Sequence, residues 1–273
     1  MLPNKVNYKL HYRQSPEWLL ALLLAALWPH WLWMARRTMD GSDEPWGVLA
    51  LVTLIGMVIA DRRNLVLRRP ALVLTLAGGL SLGAALCTSV LPPIISAAVA
   101  MLAVVSLLAG MLPAQRPRAA LAFIALLALP LTASLNFYLG YPLRWICSHG
   151  AAPLLSLAGW EVTAEGAALL WNGKTILVDA PCAGIAMLWV GLYVAALLSY
   201  LHRASTLRTA GNLAIGALIV VAGNTVRNAI LFFKEAGITP LPEWMHEAIG
   251  LAVFGLALWL MYHLFSRGTY AHR

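Results

Sequence analysis

Long apolar segments constrain this chain more than any other feature. Read with a window of about 19 residues and a need for about 20 apolar residues per membrane span, the sequence predicts eight spans. Two of these spans are short, so seven and nine spans are the alternatives. The predicted spans cover residues 18–35, 46–60, 71–87, 93–112, 119–136, 184–200, 209–233 and 245–266.

Composition supports the same fold class. Hydrophobic residues make up 61% of the 273 residues and charged residues 11%, whereas about 25% of the residues in a soluble domain are charged. We therefore expect an all-α, polytopic helical bundle in the lipid bilayer. The chain has no convincing internal repeat, so one integral membrane domain over residues 1–273 is the simplest division.

The distribution of the 19 Lys and Arg residues predicts the orientation of the bundle. Cytoplasmic loops retain basic residues, and most of these residues lie in the segments that share a side with the N-terminus. The N- and C-termini are therefore predicted to be cytoplasmic, in a cytoplasmic (inner) membrane. The same distribution accounts for the net charge of +8. We expect no nucleic-acid partner, because such a partner requires basic residues clustered on one soluble face.

One connection between predicted spans is long, residues 137–183, and we place it on the outer side of the membrane. Its first half is rich in aromatic residues and glycine. Its second half contains the turn pair Asn172-Gly173 between β-compatible stretches, which predicts a short hairpin. The second strand of this hairpin leads to Asp179 and to the start of the sixth span, where Gly184 allows a substrate backbone to come close.

Polar residues in the seventh span are not explained by hydrophobicity. An arginine at the centre of a span costs about 2.5 to 3.5 kcal/mol on insertion scales and usually marks function, and Arg227 is the only arginine within a predicted span. Asn224 and Asn228 lie on its helix face, at spacings of three and four. Gly216 and Gly223 allow a neighbouring helix to approach. This face is predicted to point into the bundle.

Three reactive side chains are predicted at one outer depth. Cys182 stands at the outer start of the sixth span, Arg227 near the outer end of the seventh, and His246 at the outer start of the eighth. A thiolate is a nucleophile, an imidazole serves as acid or base, and a guanidinium stabilises an oxyanion. This combination is typical of thiol acyl transfer, which requires no metal or other cofactor.

Structural alternatives exist for two of these residues. Cys182 can form a disulfide with Cys147, because the periplasm is oxidising, and Arg227 can pair with Asp179 or Glu247. Two other functions are also compatible with an intramembrane arginine. These are a transporter with an anion site and an assembly protein of an export pathway.

Three motifs resemble the exosortase and archaeosortase family. They are Cys-Ala-Gly at 182–184, Gly-Asn-x-x-Arg at 223–227 and His-x-x-x-Gly at 246–250, and the resemblance covers about residues 135–255. It implies a cysteine transpeptidase or protease of the cytoplasmic membrane. The implied substrates are proteins with a C-terminal sorting signal of the PEP-CTERM type, made of a short motif such as Pro-Glu-Pro, a transmembrane helix and a basic tail.

The resemblance also implies residue roles. Cys182 is the implied nucleophile, Arg227 the stabilising cation and His246 the acid or base, with the reaction at the extracytoplasmic face and a thioester intermediate. The residues expected to support them or to bind substrate are Asn224, Asn228, Gly184 and Asp179.

Overall fold

Helices dominate the structure, a computed structural model that describes residues 17–41, 45–179, 183–240 and 242–267. This part of the chain contains ten α-helices and, between α7 and α8, one small sheet. The helices are α1 (Glu17–Ala26), α2 (Trp28–Met39), α3 (Trp46–Asp61), α4 (Pro70–Cys87), α5 (Pro93–Met111), α6 (Arg118–Leu127), α7 (Thr132–Leu157), α8 (Ile185–Leu201), α9 (Thr206–Glu235) and α10 (Trp244–Arg267). The strands are β1 (Thr163–Glu165), β2 (Ala168–Trp171) and β3 (Lys174–Leu177).

The prediction of a multi-pass helical membrane protein is confirmed, whereas the number of eight spans is not confirmed. Each predicted span contains a helix, but among the described residues only four helices are long and apolar enough to cross a bilayer: α4, α5, α9 and α10. The count rises to six if each of two bent helix pairs is one span. The remaining predicted spans correspond to α3 and α8, whose 16 and 17 residues lie at the short end of what a full crossing takes.

Both bent pairs have a break next to a proline. The axes of α1 and α2 differ by 68°, and Pro29 lies in the first turn of α2. The axes of α6 and α7 differ by 95°, with Pro130 in the short connection between them. Proline lacks an N–H and disfavours helical backbone in the residue before it, so a helix usually ends there.

The first half of the long outer connection is helical, which the sequence analysis did not predict. We expected residues 137–183 to lie outside a span, but α7 continues as a helix to Leu157. Its buried face recurs every four residues, at Leu143, Cys147, Ala151 and Leu155. The aromatic residues that suggested a loop lie instead on the exposed face of this helix.

The predicted hairpin is present and carries a third strand. β2 and β3 pair antiparallel, with Trp171 opposite Lys174, and Asn172 and Gly173 connect them with positive φ angles of 47° and 74°. Positive φ at both central residues is what a type I′ turn requires. β1 adds to the other edge of β2, giving the order β1-β2-β3.

An aromatic cluster fixes this sheet on the end of α9. Trp160, just before β1, lies 5.3 Å from Phe233 and 5.7 Å from Trp171 between ring centroids. Phe232 completes the cluster, 5.9 Å from Trp171, and is 1% exposed. The sheet therefore covers the end of α9 in which Arg227 lies.

Helix α8 is the central element of the bundle. Trp189 and Tyr193 stack on each other at 5.6 Å and pack into the apolar core formed with α1 to α6. Ile185 and Leu188 belong to a second core, shared with α7, α9 and α10. Because α8 joins both cores, its first residue occupies a well-defined position relative to α7, α9 and α10.

The turns predicted to be cytoplasmic meet at the far end of α8. Arg116 forms an ion pair with buried Asp61 at 2.6 Å and lies 5.4 Å from the ring centroid of Tyr200. The hydrogen bond to Asp61 raises the pKa of the Arg116 guanidinium above its ordinary value. In the same region, the Arg208 guanidinium donates to the carbonyl of Phe265. These contacts agree with the prediction that the turns share one side of the membrane.

Candidate active site

The polar face of α9 is buried within the bundle, as the spacing of its residues predicted. Asn224, Arg227 and Asn228 are 2%, 8% and 6% exposed. The amide of Asn228 donates to the backbone oxygen of Asn224, one turn earlier. Polar groups away from water require hydrogen-bond partners, and α7 and α10 supply most of those available to Asn224 and Arg227.

Arg227 binds His246 directly across the contact between α9 and α10. The distance from Arg227 Nη2 to His246 Nε2 is 2.9 Å. A guanidinium has only donors and stays protonated in proteins, so Nε2 of His246 accepts this hydrogen bond. The imidazole is therefore neutral in this arrangement and carries its proton on Nδ1.

Two further side chains complete the surroundings of this pair. Arg227 Nη1 donates to Asn224 Oδ1 at 3.4 Å. On the other side of the imidazole, Nδ1 of His246 lies 3.9 Å from a carboxylate oxygen of Glu235, which is half-exposed at the end of α9. A chain of polar groups thus runs from Asn224 through Arg227 and His246 to Glu235.

The alternative partners expected for Arg227 are not found. Among the described acidic residues, neither Asp179 nor Glu247 lies within ion-pair distance of the guanidinium. Asp179 is exposed beyond the end of β3. The Nε–H of Arg227 is buried and has no hydrogen-bond partner in the described part of the chain.

Glycines in two of the three motifs make room for polar side chains of another motif. A Cβ atom at Gly250 would lie 3.1 Å from Arg227 Nε. A Cβ atom at Gly184, which has a φ of +79°, would lie 2.6 Å from Asn224 Nδ2. Gly184 therefore makes room for Asn224, and the expectation that it also allows a substrate backbone to come close stays a prediction.

The remaining predicted glycines also allow close helix contacts. A Cβ atom at Gly216 would lie 3.1 Å from Met261 on α10, and one at Gly223 would lie 3.4 Å from Val253. The prediction that these two glycines let a neighbouring helix approach is confirmed.

Cys182 itself lies outside the described residues, as do the two residues before it. Its neighbours Ala183 and Gly184 are buried and line a small cavity together with Asn224 and Cys147. The chain therefore enters α8, at Ala183 and Gly184, next to Asn224.

Sequence analysis did not assign a site role to Cys147 or Glu235. Cys147 was considered only as a disulfide partner, but it is a free cysteine, 0% exposed, and Asn224 Nδ2 donates to its sulfur at 3.2 Å. Its position on the four-residue repeat of α7 is a signal that could have indicated burial. Glu235 lies two turns beyond Arg227, at the end of the same helix, where Nδ1 of His246 comes within 3.9 Å of its carboxylate. The described residues contain no group of three His, Cys, Asp or Glu side chains arranged to hold a metal ion.

Buried polar residues on several helices, centred on an arginine–histidine pair, define this protein as a multi-pass membrane protein with a polar site inside its bundle. The family model described as transmembrane exosortase (Exosortase_EpsH) matches residues 11–263, and the chain belongs to the exosortase family, a family of membrane cysteine transpeptidases. Neither the comparison with curated proteins nor that with solved structures found a match.

Proposed function

We propose that this protein cleaves membrane-anchored proteins bearing a C-terminal sorting signal of the PEP-CTERM type, with Cys182 as the nucleophile. The hydrogen bond between Arg227 and His246 is the single observation that carries the proposal. It joins two of the three residues implied by the motifs. Membership of the exosortase family supports the same reaction class.

The catalytic part of this protein is about residues 135–255. The transmembrane helix of the substrate lies in the bilayer beside α8, α9 and α10. Its flanking motif then reaches the outer, extracytoplasmic end of these helices, where the chain enters α8 next to Asn224. The positive charge of Arg227 favours the thiolate of Cys182, since a nearby cation stabilises the anionic form of a thiol.

In the first step, the thiolate attacks the scissile carbonyl carbon and a C–S bond forms. The resulting oxyanion is stabilised by Arg227, whose Nε–H has no partner among the described residues, and by backbone N–H groups. The C–N bond then breaks. Nε2 of His246 takes the thiol proton once the Arg227 guanidinium has turned away from it towards the substrate, and it gives this proton to the leaving amine, so that a thioester on Cys182 remains.

In the second step, the thioester passes to water or to an amine or hydroxyl acceptor, which corresponds to hydrolysis or transpeptidation. Either acceptor restores the free thiol of Cys182 and releases the processed protein. Both routes remove the same C-terminal fragment, so shortening of the substrate reports the first step in either case.

The test is the processing of a panel of tailed substrates in cells that carry wild type, Cys182→Ala or Cys87→Ser. Cys87 is the matched control because it lies at the end of α4, in a helix that contributes nothing to the polar chain. We expect wild type and Cys87→Ser to shorten a substrate and Cys182→Ala to leave it intact, with equal amounts of each variant in the membrane. Equal shortening by Cys182→Ala would refute the proposal, because Cys182 would then not be the nucleophile. The sorting-signal assignment fails if wild type cleaves none of the panel.

A further inference from the structure

Cys147 is a buried reactive group that the proposed mechanism does not use. It lies on α7, is 0% exposed, and lines the small cavity that also contains Ala183 and Gly184. Its sulfur accepts from Asn224 Nδ2 at 3.2 Å, and Thr225 Oγ1, whose proton goes to the carbonyl of Val221 at 2.9 Å, lies 3.8 Å from it. Both residues belong to α9, so this sulfur connects α7 to the polar face of α9.

The orientation of the Asn224 amide follows from its neighbours. Arg227 can only donate, so the amide oxygen must face the guanidinium, as the contact of 3.4 Å to Oδ1 shows. The amide nitrogen then points the other way, towards Cys147. Since Asn224 is 2% exposed, its N–H groups need an acceptor within the protein, and the sulfur of Cys147 is one.

Close packing leaves the amide little freedom to rotate. A Cβ atom at Gly150 would lie 2.7 Å from a methyl carbon of Thr225, so α7 and α9 are as close as they can be one turn beyond Cys147. Gly184, the residue just before α8, packs against the same amide nitrogen. The amide is therefore enclosed by three helices and bound at both of its ends.

We propose that Cys147 is a positioning residue whose sulfur, by accepting from Asn224, fixes the amide so that its oxygen holds Arg227. The proposal rests on the proposed function, because it is Arg227 that acts on Cys182 and on the substrate. Loss of the acceptor removes the hydrogen bond that this sulfur makes to the amide nitrogen, and this lowers the cost of rotating the amide. A rotated amide presents a donor to the guanidinium and releases it.

The contrast between Cys147→Ser and Cys147→Ala tests this role. A serine hydroxyl still accepts from Asn224, whereas alanine removes the acceptor at nearly the same volume. We expect Cys147→Ser to process a tailed substrate within about threefold of wild type and Cys147→Ala to lose about tenfold or more. The melting temperatures of the two variants in detergent show whether both remain folded.

A second readout needs no substrate. In a Cys87→Ser background both variants retain only the thiol of Cys182, and its alkylation rate at neutral pH reports the thiolate fraction. We expect Cys147→Ala to react several-fold more slowly than Cys147→Ser. Equal alkylation rates in the two variants would overturn the proposal, even if no tailed substrate is cleaved.

The outcomes separate this proposal from the proposed function. Loss of processing in Cys182→Ala together with equal processing by Cys147→Ser and Cys147→Ala refutes the positioning role alone. Full processing by Cys182→Ala, with none by either Cys147 variant, makes Cys147 the nucleophile and refutes both proposals.

Discussion

Replacing Gly184 with alanine tests whether the start of α8 positions the row of polar side chains that runs from Asn224 to Glu235. The added Cβ atom would lie 2.6 Å from Asn224 Nδ2, whereas ordinary van der Waals contact begins at 3.4 Å, so the amide would have to retreat by about 0.8 Å. It cannot do so freely, because Cys147 lies 3.2 Å behind it.

The cost has two parts. A non-glycine residue in the left-handed region costs about 1–2 kcal/mol. The displaced amide also loses its hydrogen bonds to Cys147 and Arg227, worth about 0.5–1.5 kcal/mol each. We therefore expect Gly184→Ala to lower the free energy of unfolding by about 2–5 kcal/mol and to slow substrate processing by more than tenfold.

Gly237→Ala is the matched control. Gly237 has a φ of +72° but no atom within 4 Å of the position of its Cβ, so the variant carries the backbone strain without the displacement of an amide. Unfolding in detergent micelles and initial processing rates should be measured for both variants. If Gly184→Ala and Gly237→Ala lose the same stability and the same activity, the contact between Gly184 and Asn224 does not position the site.

Three further changes address other parts of the structure. Gly250→Ala places a Cβ atom 3.1 Å from Arg227 Nε, and we expect about a tenfold lower processing rate with little change in the amount of membrane protein; an unchanged rate would show that the guanidinium is not held tightly. Glu235→Ala removes the carboxylate 3.9 Å from His246 Nδ1. We expect the initial processing rate to fall about threefold to tenfold at equal expression, and full activity would contradict this role of Glu235. Arg116→Met leaves the buried carboxylate of Asp61 on α3 unpaired, which costs about 3–5 kcal/mol. The melting temperature of this variant should fall while its processing rate per folded molecule stays at the wild-type value. A lower rate per folded molecule would show that this end of the bundle affects the site at the other end.

Several features of the fold could be predicted because they depend on residues close together in the chain. Apolar runs predicted a helix at each of the eight positions, and Asn172-Gly173 predicted its turn, since positive φ at two central residues is a local requirement. The spacing of Asn224, Arg227 and Asn228 predicted a shared, inward face, because the helical period fixes which side chains lie together.

Other features could not be predicted because they depend on contacts between distant segments. The length of α7 was missed because exposed aromatic residues obscured the buried repeat that includes Cys147. The proximity of Glu235 to His246 arises only when α10 packs on α9.

The sequence by itself determined that this protein is a helical membrane protein, that a cysteine stands just before one late span while an arginine and a histidine lie within the next two, and that the polar face of α9 points inward. Only the tertiary structure decided which groups contact each other: Arg227 with His246, Asn224 with Cys147, and Gly184 against Asn224. Hydropathy and helical period are properties of a single segment. Hydrogen-bond partners and close packing are set by the distances between helices, and these exist only once α7, α8, α9 and α10 have packed together.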